Sequence, residues 1–214
     1  MNSKLTQPQN ARERFAIALR AKASEFGVEL QSSVIAKLSA YYETLQKWNP
    51  RLHLVAPCSP EEFATRHVLE SLWILRHLPS GVRIADVGSG GGLPIVPCLI
   101  ARDDLSATLI ESSVKKGVFL KEALRIAGAA DRSKLIVARF EEAQTPSVDF
   151  VTCRALDRFP QVLPKLIEWA PPASTLLLFV GATLRNQIEE FLPQAQAELI
   201  PGSEQRYLMV ISSR

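Results

Sequence analysis

The run Ile84-Ala85-Asp86-Val87-Gly88-Ser89-Gly90-Gly91-Gly92-Leu93-Pro94 constrains the fold more than any other stretch of this chain. Val82 to Val87 is a short apolar segment that reads as a buried parallel strand, and the apolar segment from Pro94 to Ala101 reads as a helix. Strand, glycine turn and helix, in that order, are how α/β folds build a nucleotide site. The glycines let backbone approach a ligand, and the N–H groups at the helix start point towards it. A dinucleotide turn would be spelled G-x-G-x-x-G, but Leu93 stands where its last glycine belongs. The spelling here is D-x-G-x-G-x-G, from Asp86 to Gly92. Glycines also make ordinary tight turns, so the flanking strand and helix carry the nucleotide reading.

The rest of the chain divides at this neighbourhood. Residues 1–10 are polar and expected to be disordered. Phe15, Ala18, Leu19, Ala23 and Phe26 recur at helical spacing, and Gly27 is a natural stop. A second helix is expected from Ser32 to Trp48, ended by Asn49-Pro50. Ser59-Pro60-Glu61-Glu62 reads as an N-cap with proline in the first turn, opening a third helix that runs to about Leu78. After Pro79-Ser80-Gly81, apolar strands near 82–87, 106–111, 134–138, 148–153, 174–180, 197–201 and 206–212 are expected. They alternate with helices near 94–102, 113–127, 159–170 and 183–193, which argues for a parallel sheet with crossovers. Pro201-Gly202-Ser203 is too short for a parallel crossover, so the last two strands should form a hairpin.

The expected fold is therefore α/β. A seven-stranded, mostly parallel sheet with an antiparallel C-terminal hairpin strand occupies residues 79–214. A helical extension, residues 1–78, packs on it. This arrangement resembles the Rossmann-like class I methyltransferases, whose S-adenosylmethionine-dependent members carry D-x-G-x-G-x-G at the first strand.

Composition sets outer limits. The 214 residues, 47% hydrophobic, suit one α/β unit with an added element. No apolar run approaches a membrane span, and Met1 to Asn10 lack the apolar core of a signal peptide. Cys58, Cys98 and Cys153 show neither CxxC spacing nor a disulfide framework, which suits reduced thiols in the cytoplasm. The net charge of +3 permits an anionic partner without demanding one. His53, His67 and His77 have no metal-ligand pattern, and His67, beside Arg66, is expected to hydrogen-bond locally.

Several residues at strand ends could carry chemistry. Glu111 closes the second strand, where a carboxylate can accept both ribose hydroxyls; it could equally answer the dipole of the following helix. Phe140-Glu141 follow the third strand, where adenine would lie between apolar side chains, with Phe140 as plain core the alternative. Arg154 directly follows the fourth strand and faces the ligand crevice, unless it serves a structural ion pair. The same place lacks the Asp/Asn-Pro-Pro-aromatic signature of exocyclic-amine methyltransferases. Cys153 lacks the Pro-Cys signature of a cytosine-C5 nucleophile and reads as a buried strand thiol. No general base stands out. A nucleophile with a lone pair and no proton to lose, such as guanine nitrogen 7, would need none, and alignment would carry the catalysis. Lys115, Lys116, Lys121, Arg125, Arg139, Arg154, Arg158 and Arg206 would suit RNA phosphates, although a solvated helix face explains Lys115 to Arg125 as well.

Taken in order, these elements resemble the RsmG (GidB) family, which makes 7-methylguanosine in 16S ribosomal RNA. The resemblance runs from about Phe26 to Ile211. It is carried by Tyr41 to Asn49, Arg66 to Leu72, Asp86 to Pro94, Glu111-Ser112 with Lys115-Lys116, Arg139 to Glu142, Cys153-Arg154-Ala155 and Arg206-Tyr207-Leu208. It implies a S-adenosylmethionine site holding Gly88, Gly90, Gly92, Leu93, Glu111, Ser112, Phe140, Glu141 and Arg154, with Arg154 also the catalytic candidate. Arg139, Arg206, Lys115 and Lys116 would face ribosomal RNA or the small subunit, and a monomer is expected. His53-Leu54-Val55 stands where the family reads Asn-Leu-Thr, and Val180-Gly181 where it reads Lys-Gly. Loss of that lysine would weaken the RNA side and leave the cofactor side untouched. The alternatives are a cofactor- and RNA-binding module with weakened catalysis, and a small-molecule methyltransferase.

Overall fold

The structure, a computed structural model, describes residues 10–154 and 159–212. The expectation of disorder over residues 1–10 therefore falls, except for Asn10, outside the described residues, as do Ala155 and Arg158.

Helix α1, Ala11–Lys22, begins where the Asn10 side chain accepts the Glu13 N–H at 2.8 Å. A 3-10 turn, Ala23–Phe26, follows, and Gly27 closes it in the left-handed conformation at φ 66°. Helix α2 spans Ser32–Leu52, longer than the sequence suggests. Pro50 does not end it. Proline removes one N–H, but the last turn survives because the His53 N–H reaches the Asn49 carbonyl at 2.9 Å. Asn49 stays helical and uses its side chain on both backbone groups of Val55, at 3.0 Å each. The third helix is not uniform. It starts as α3, Pro60–Glu62, widens to π geometry over Phe63–Leu69, returns as α4, Glu70–Leu72, and tightens to 3-10 over Trp73–His77.

The sheet has seven strands in the order β3-β2-β1-β4-β5-β7-β6. Their ranges are β1 Arg83–Val87, β2 Ser106–Ile110, β3 Ser133–Ile136, β4 Phe150–Arg154, β5 Thr175–Gly181, β6 Gln196–Leu199 and β7 Arg206–Ser212. The first five are parallel to one another; β7 runs antiparallel to β5, and also to β6, as the short Pro201-Gly202-Ser203 turn requires. The order reverses direction between β1 and β4, which is the switch point where α/β folds open a crevice at the strand ends. Helices α5, Ile95–Ala101, and α6, Val114–Ala127, lie on one face. The opposite face is covered by α7, Phe159–Trp169, and α8, Ala182–Phe191.

Alternation along the strands sorts residues between two apolar clusters. Ile84 joins Leu99, Phe119 and the N-terminal residues Phe15, Leu38 and Phe63. Ala85 and Val87 join Val151, Leu166 and Ile188 on the other face. The helical extension thus shares one cluster with the sheet.

Candidate functional site

The glycine turn is held at the ends of β1 and β2. The Gly88 and Ser89 N–H groups both donate to the Ile110 carbonyl, at 2.9 and 3.1 Å. Gly88, Gly90 and Gly92 all take positive φ, a conformation that L side chains resist. Gly92 has a further constraint: a Cβ there would lie 2.6 Å from Val96 Cγ2. The turn is also pinned from outside the sheet, where the Tyr41 hydroxyl donates to the Gly91 carbonyl at 2.5 Å.

Beside this turn lies a cleft of about 490 Å³. Gly88, Gly90, Leu93, Glu111, Ser112 and Arg154, all expected from the sequence, line it. Gly92 does not. Its missing side chain makes room for Val96 and Leu120. Gly91 takes its place in the wall, and Lys116, expected on the RNA side, lines this cleft too. Lys115, Lys121 and Arg125 are exposed.

Glu111 is buried, and its two carboxylate oxygens brace the site. Oε2 accepts the Gly90 N–H at 2.9 Å, and Oε1 accepts the Ser113 N–H at 2.8 Å. Ser113 caps α6, so Glu111 is tied to the residue that opens that helix. Each oxygen keeps a second lone pair for a ligand in the cleft.

A second cavity, about 280 Å³, meets the first at Gly88 and Ser112. Val87, Ile110, Phe140 and Val162 form its apolar lining, and Arg139 and Glu141 stand at it as well. Phe140 is buried and packs edge-on to Trp169 at 5.8 Å between centroids, so it is both core and cavity wall.

Arg154 occupies the other end of the cleft. Its Nη2 donates to the Arg66 carbonyl at 2.7 Å and lies 3.3 Å from Glu70 Oε2, and its guanidinium sits 5.2 Å above the Phe179 ring. Burial lowers its affinity for its proton, and Glu70 opposes that. The structural ion pair considered for Arg154 is therefore present. Arg154 nonetheless lines two cavities: the main cleft and a third of about 280 Å³ that also holds Arg206 and Val180. Arg206 is not a free cation. Its Nε and Nη2 both reach Glu70 Oε1 at 2.8 Å.

Three residues were missed in the sequence. Tyr41 is fully buried beneath the turn. Glu70, 1% exposed, joins Arg154 to Arg206. His67 lines the main cleft, and its Nδ1 is buried with no hydrogen-bond partner among the described residues, contrary to the expected local bond. Desolvation, reinforced by Arg154 and Arg66, lowers the His67 pKa to about 4. The signal for all three lay in π winding and long-range pairing, which a periodicity reading does not register.

Asp86 sits behind the turn. Thr152 donates to its Oδ1 at 2.7 Å, while Oδ2 is buried without a partner among the described residues. Burial pushes its carboxyl up to about 7.

Residues 34–205 match the family described as GidB, rRNA small subunit methyltransferase G. The chain is 35% identical, over 196 residues, to the Sorangium cellulosum protein named ribosomal RNA small subunit methyltransferase G, covering 87% of this chain and 77% of that one. Among solved structures, the cofactor-bound protein Rv0187 from MTB covers 97% of this chain and all 100% of its own length, with TM-score 0.62 and 14% identity. An RNA methyltransferase from Salinibacter ruber in complex with S-adenosyl-L-homocysteine has TM-score 0.54 and 18% identity, over 75% of this chain and 95% of that one. These two likenesses bear on the fold.

Proposed function

The chain belongs to the GidB family of rRNA small subunit methyltransferases, and from that premise we propose that it methylates nitrogen 7 of a guanine in 16S ribosomal RNA, using S-adenosylmethionine. The observation that carries the reading is a set of three cavities that share lining residues at the strand ends. An apolar slot at Phe140 meets a polar cleft at Gly88 and Ser112, and Arg154 joins that cleft to a third cavity.

The residues present suit the cofactor. Phe140 and Val162 offer apolar walls for an adenine, and Arg139 and Glu141 stand at its edge. Glu111, with a lone pair free on each oxygen, suits the ribose hydroxyls. Gly88, Gly90, Gly91 and Leu93 leave room for the amino-acid portion, and Lys116 and Arg154 supply charge for its carboxylate. Bound there, S-adenosylmethionine supplies a methyl group on a sulfonium, and guanine nitrogen 7 accepts it on a lone pair with no proton to release. The protein's task is then to orient the two partners and exclude water. Arg154 spans both sides of that junction. His67 is neutral near neutral pH and adds no further cation there.

Transfer of tritiated methyl to small ribosomal subunits or naked 16S RNA, with hydrolysis to identify 7-methylguanine, tests the reading. Label at guanine nitrogen 7 is expected, together with micromolar binding of S-adenosylmethionine by calorimetry. Binding without labelling would mark a module that has lost catalysis, and label in small molecules alone would overturn the RNA substrate. A Gly90→Leu variant should lose cofactor affinity, because a side chain there obstructs the backbone approach.

A further inference from the structure

The third cavity has a built polar wall that the methyl-donor site does not use. Its sides are apolar: Phe179, Val180, Leu184 and Ile200. Its polar wall is the carboxylate of Glu70 between Arg154 and Arg206. Glu70 is 1% exposed, yet it borders this cavity. A buried carboxylate held between two arginines contributes little to stability compared with apolar residues of the same volume, so its presence beside a cavity calls for another use.

The two oxygens of Glu70 are not equally committed. Oε1 takes two arginine N–H groups from Arg206 at 2.8 Å, whereas Oε2 has the longer 3.3 Å contact with Arg154. Oε2 therefore has accepting capacity left, directly beside a guanidinium. An acceptor next to a donor, between apolar walls, is the complement of one base edge. Guanine presents N1–H and an exocyclic N2–H as donors, followed by O6 as acceptor. Adenine would set the lone pair of its N1 against the carboxylate. A base taken out of its stack is read in this way, by its Watson–Crick edge and by apolar walls on its faces. The cavity of about 280 Å³ has room for one such base.

The order of atoms around guanine fixes the rest. N2, N1, O6 and N7 follow one another along the rim. With N1 at Glu70 and O6 at Arg154, N7 comes next along the rim after O6, and Arg154 also lines the main cleft.

We infer that Glu70 selects guanine as the target base, its Oε2 accepting N1–H while Arg154 donates to O6. The inference rests on the proposed methyl transfer to guanine nitrogen 7. Glu70 is a specificity residue, fixed by the π segment that precedes it, where the Glu70 N–H reaches back five residues to the Thr65 carbonyl.

The test compares kcat/KM on 16S RNA carrying guanine or adenine at the methylated position. Adenine keeps N7 but presents a lone pair at N1 and an amine in place of O6. The wild-type protein should prefer guanine by about tenfold or more, the worth of one hydrogen bond to a charged group. In Glu70→Gln the preference should shrink severalfold, because the amide can turn its NH2 group towards the adenine N1 lone pair. Any intrinsic difference in N7 basicity is common to both enzymes and cancels. A general loss of folding would lower both rates together and leave the ratio unchanged. If Glu70→Gln does not fold, Glu70→Asp keeps the charge between the arginines but withdraws the carboxylate, and the same shrinkage is expected. Equal rates on guanine and adenine in the wild type, or an unchanged ratio in the folded variant, would overturn the role of Glu70 and leave the methyltransferase reading standing. No labelling of guanine RNA at all would overturn that reading, and this one with it.

Discussion

Asp86 and His67 are both buried against their charged forms, and their effects on stability run in opposite senses. The Asp86 carboxyl is raised from 3.8 to about 7, chiefly by burial. Between those values the folded chain keeps a proton that the unfolded chain has released, so stability falls as pH rises through the window. The His67 imidazole is lowered from 6.5 to about 4, also chiefly by burial. Its contribution is present above 6.5 and is lost as pH falls towards 4. The two slopes oppose each other in the overlap. Asp86→Asn should leave a protein whose Tm rises from pH 4.5 to pH 6.5, and His67→Gln one whose Tm falls over the same range. Melting curves at the two pH values check both, and parallel curves for the two variants would refute the opposition. Gly92→Ala adds a packing case at this scale. At φ 80°, with Val96 2.6 Å from the new Cβ, it is expected to cost about 1–3 kcal/mol in denaturant unfolding.

At the scale of elements, the mixed helix and β5 decide how the site is supplied. π winding over Phe63–Leu69 brings the Arg66 carbonyl to Arg154, sets His67 at the main cleft and sets Glu70 at the third cavity. Such segments are frequent at functional sites. Strand β5 alternates in the same way as any buried strand. Phe179 faces Arg154 and the first apolar cluster, whereas Val180 belongs to the second. Reading Val180 as a simple gap in a basic RNA face is therefore incomplete, because its side chain is buried among apolar neighbours at the cavity's edge. In Val180→Lys the stem would fill the valine's place, and the ammonium would have to reach the cavity. The expected result is a loss of about 1–3 kcal/mol, seen as a lower Tm. Any gain in RNA affinity should be limited to about one phosphate contact in the salt slope. Cofactor affinity, measured by calorimetry, should not change, since Val180 lines neither the main cleft nor the Phe140 cavity.

For the whole molecule, the helical extension and the sheet share one apolar cluster. Phe15, Leu38, Tyr41 and Phe63 pack in it with Ile84, Leu99, Phe119 and Leu208. Removing the extension would expose the outer faces of α5 and α6 and leave Arg154 and Arg206 without Glu70. The full chain should therefore unfold in a single calorimetric transition, and residues 79–214 alone should show no cooperative melt. Two resolved transitions in the full chain would show that the halves are independent. Among the described residues, no helix is long and apolar enough to cross a membrane.

The sequence alone determined the features that arise from local periodicity. All seven strands, the antiparallel last hairpin and the helices between strands follow from apolar alternation and from a turn too short to cross over. The glycine turn and the acidic end of β2 were legible because strand, turn and helix are consecutive in the chain. What lay between distant residues was not legible. Glu70, Arg154 and Arg206 come from a helix, the end of β4 and the start of β7, and no spacing rule joins them. The π winding that aims Glu70 depends on a shift of one hydrogen-bond partner, which apolar spacing does not record. Gly92 reads as a ligand glycine from its motif, and only the tertiary structure shows that Val96 also leaves no space for a side chain there. Periodicity is set by the backbone over a few residues, whereas ion pairs, cavities and close approaches are set by which elements meet. That meeting belongs to the tertiary structure.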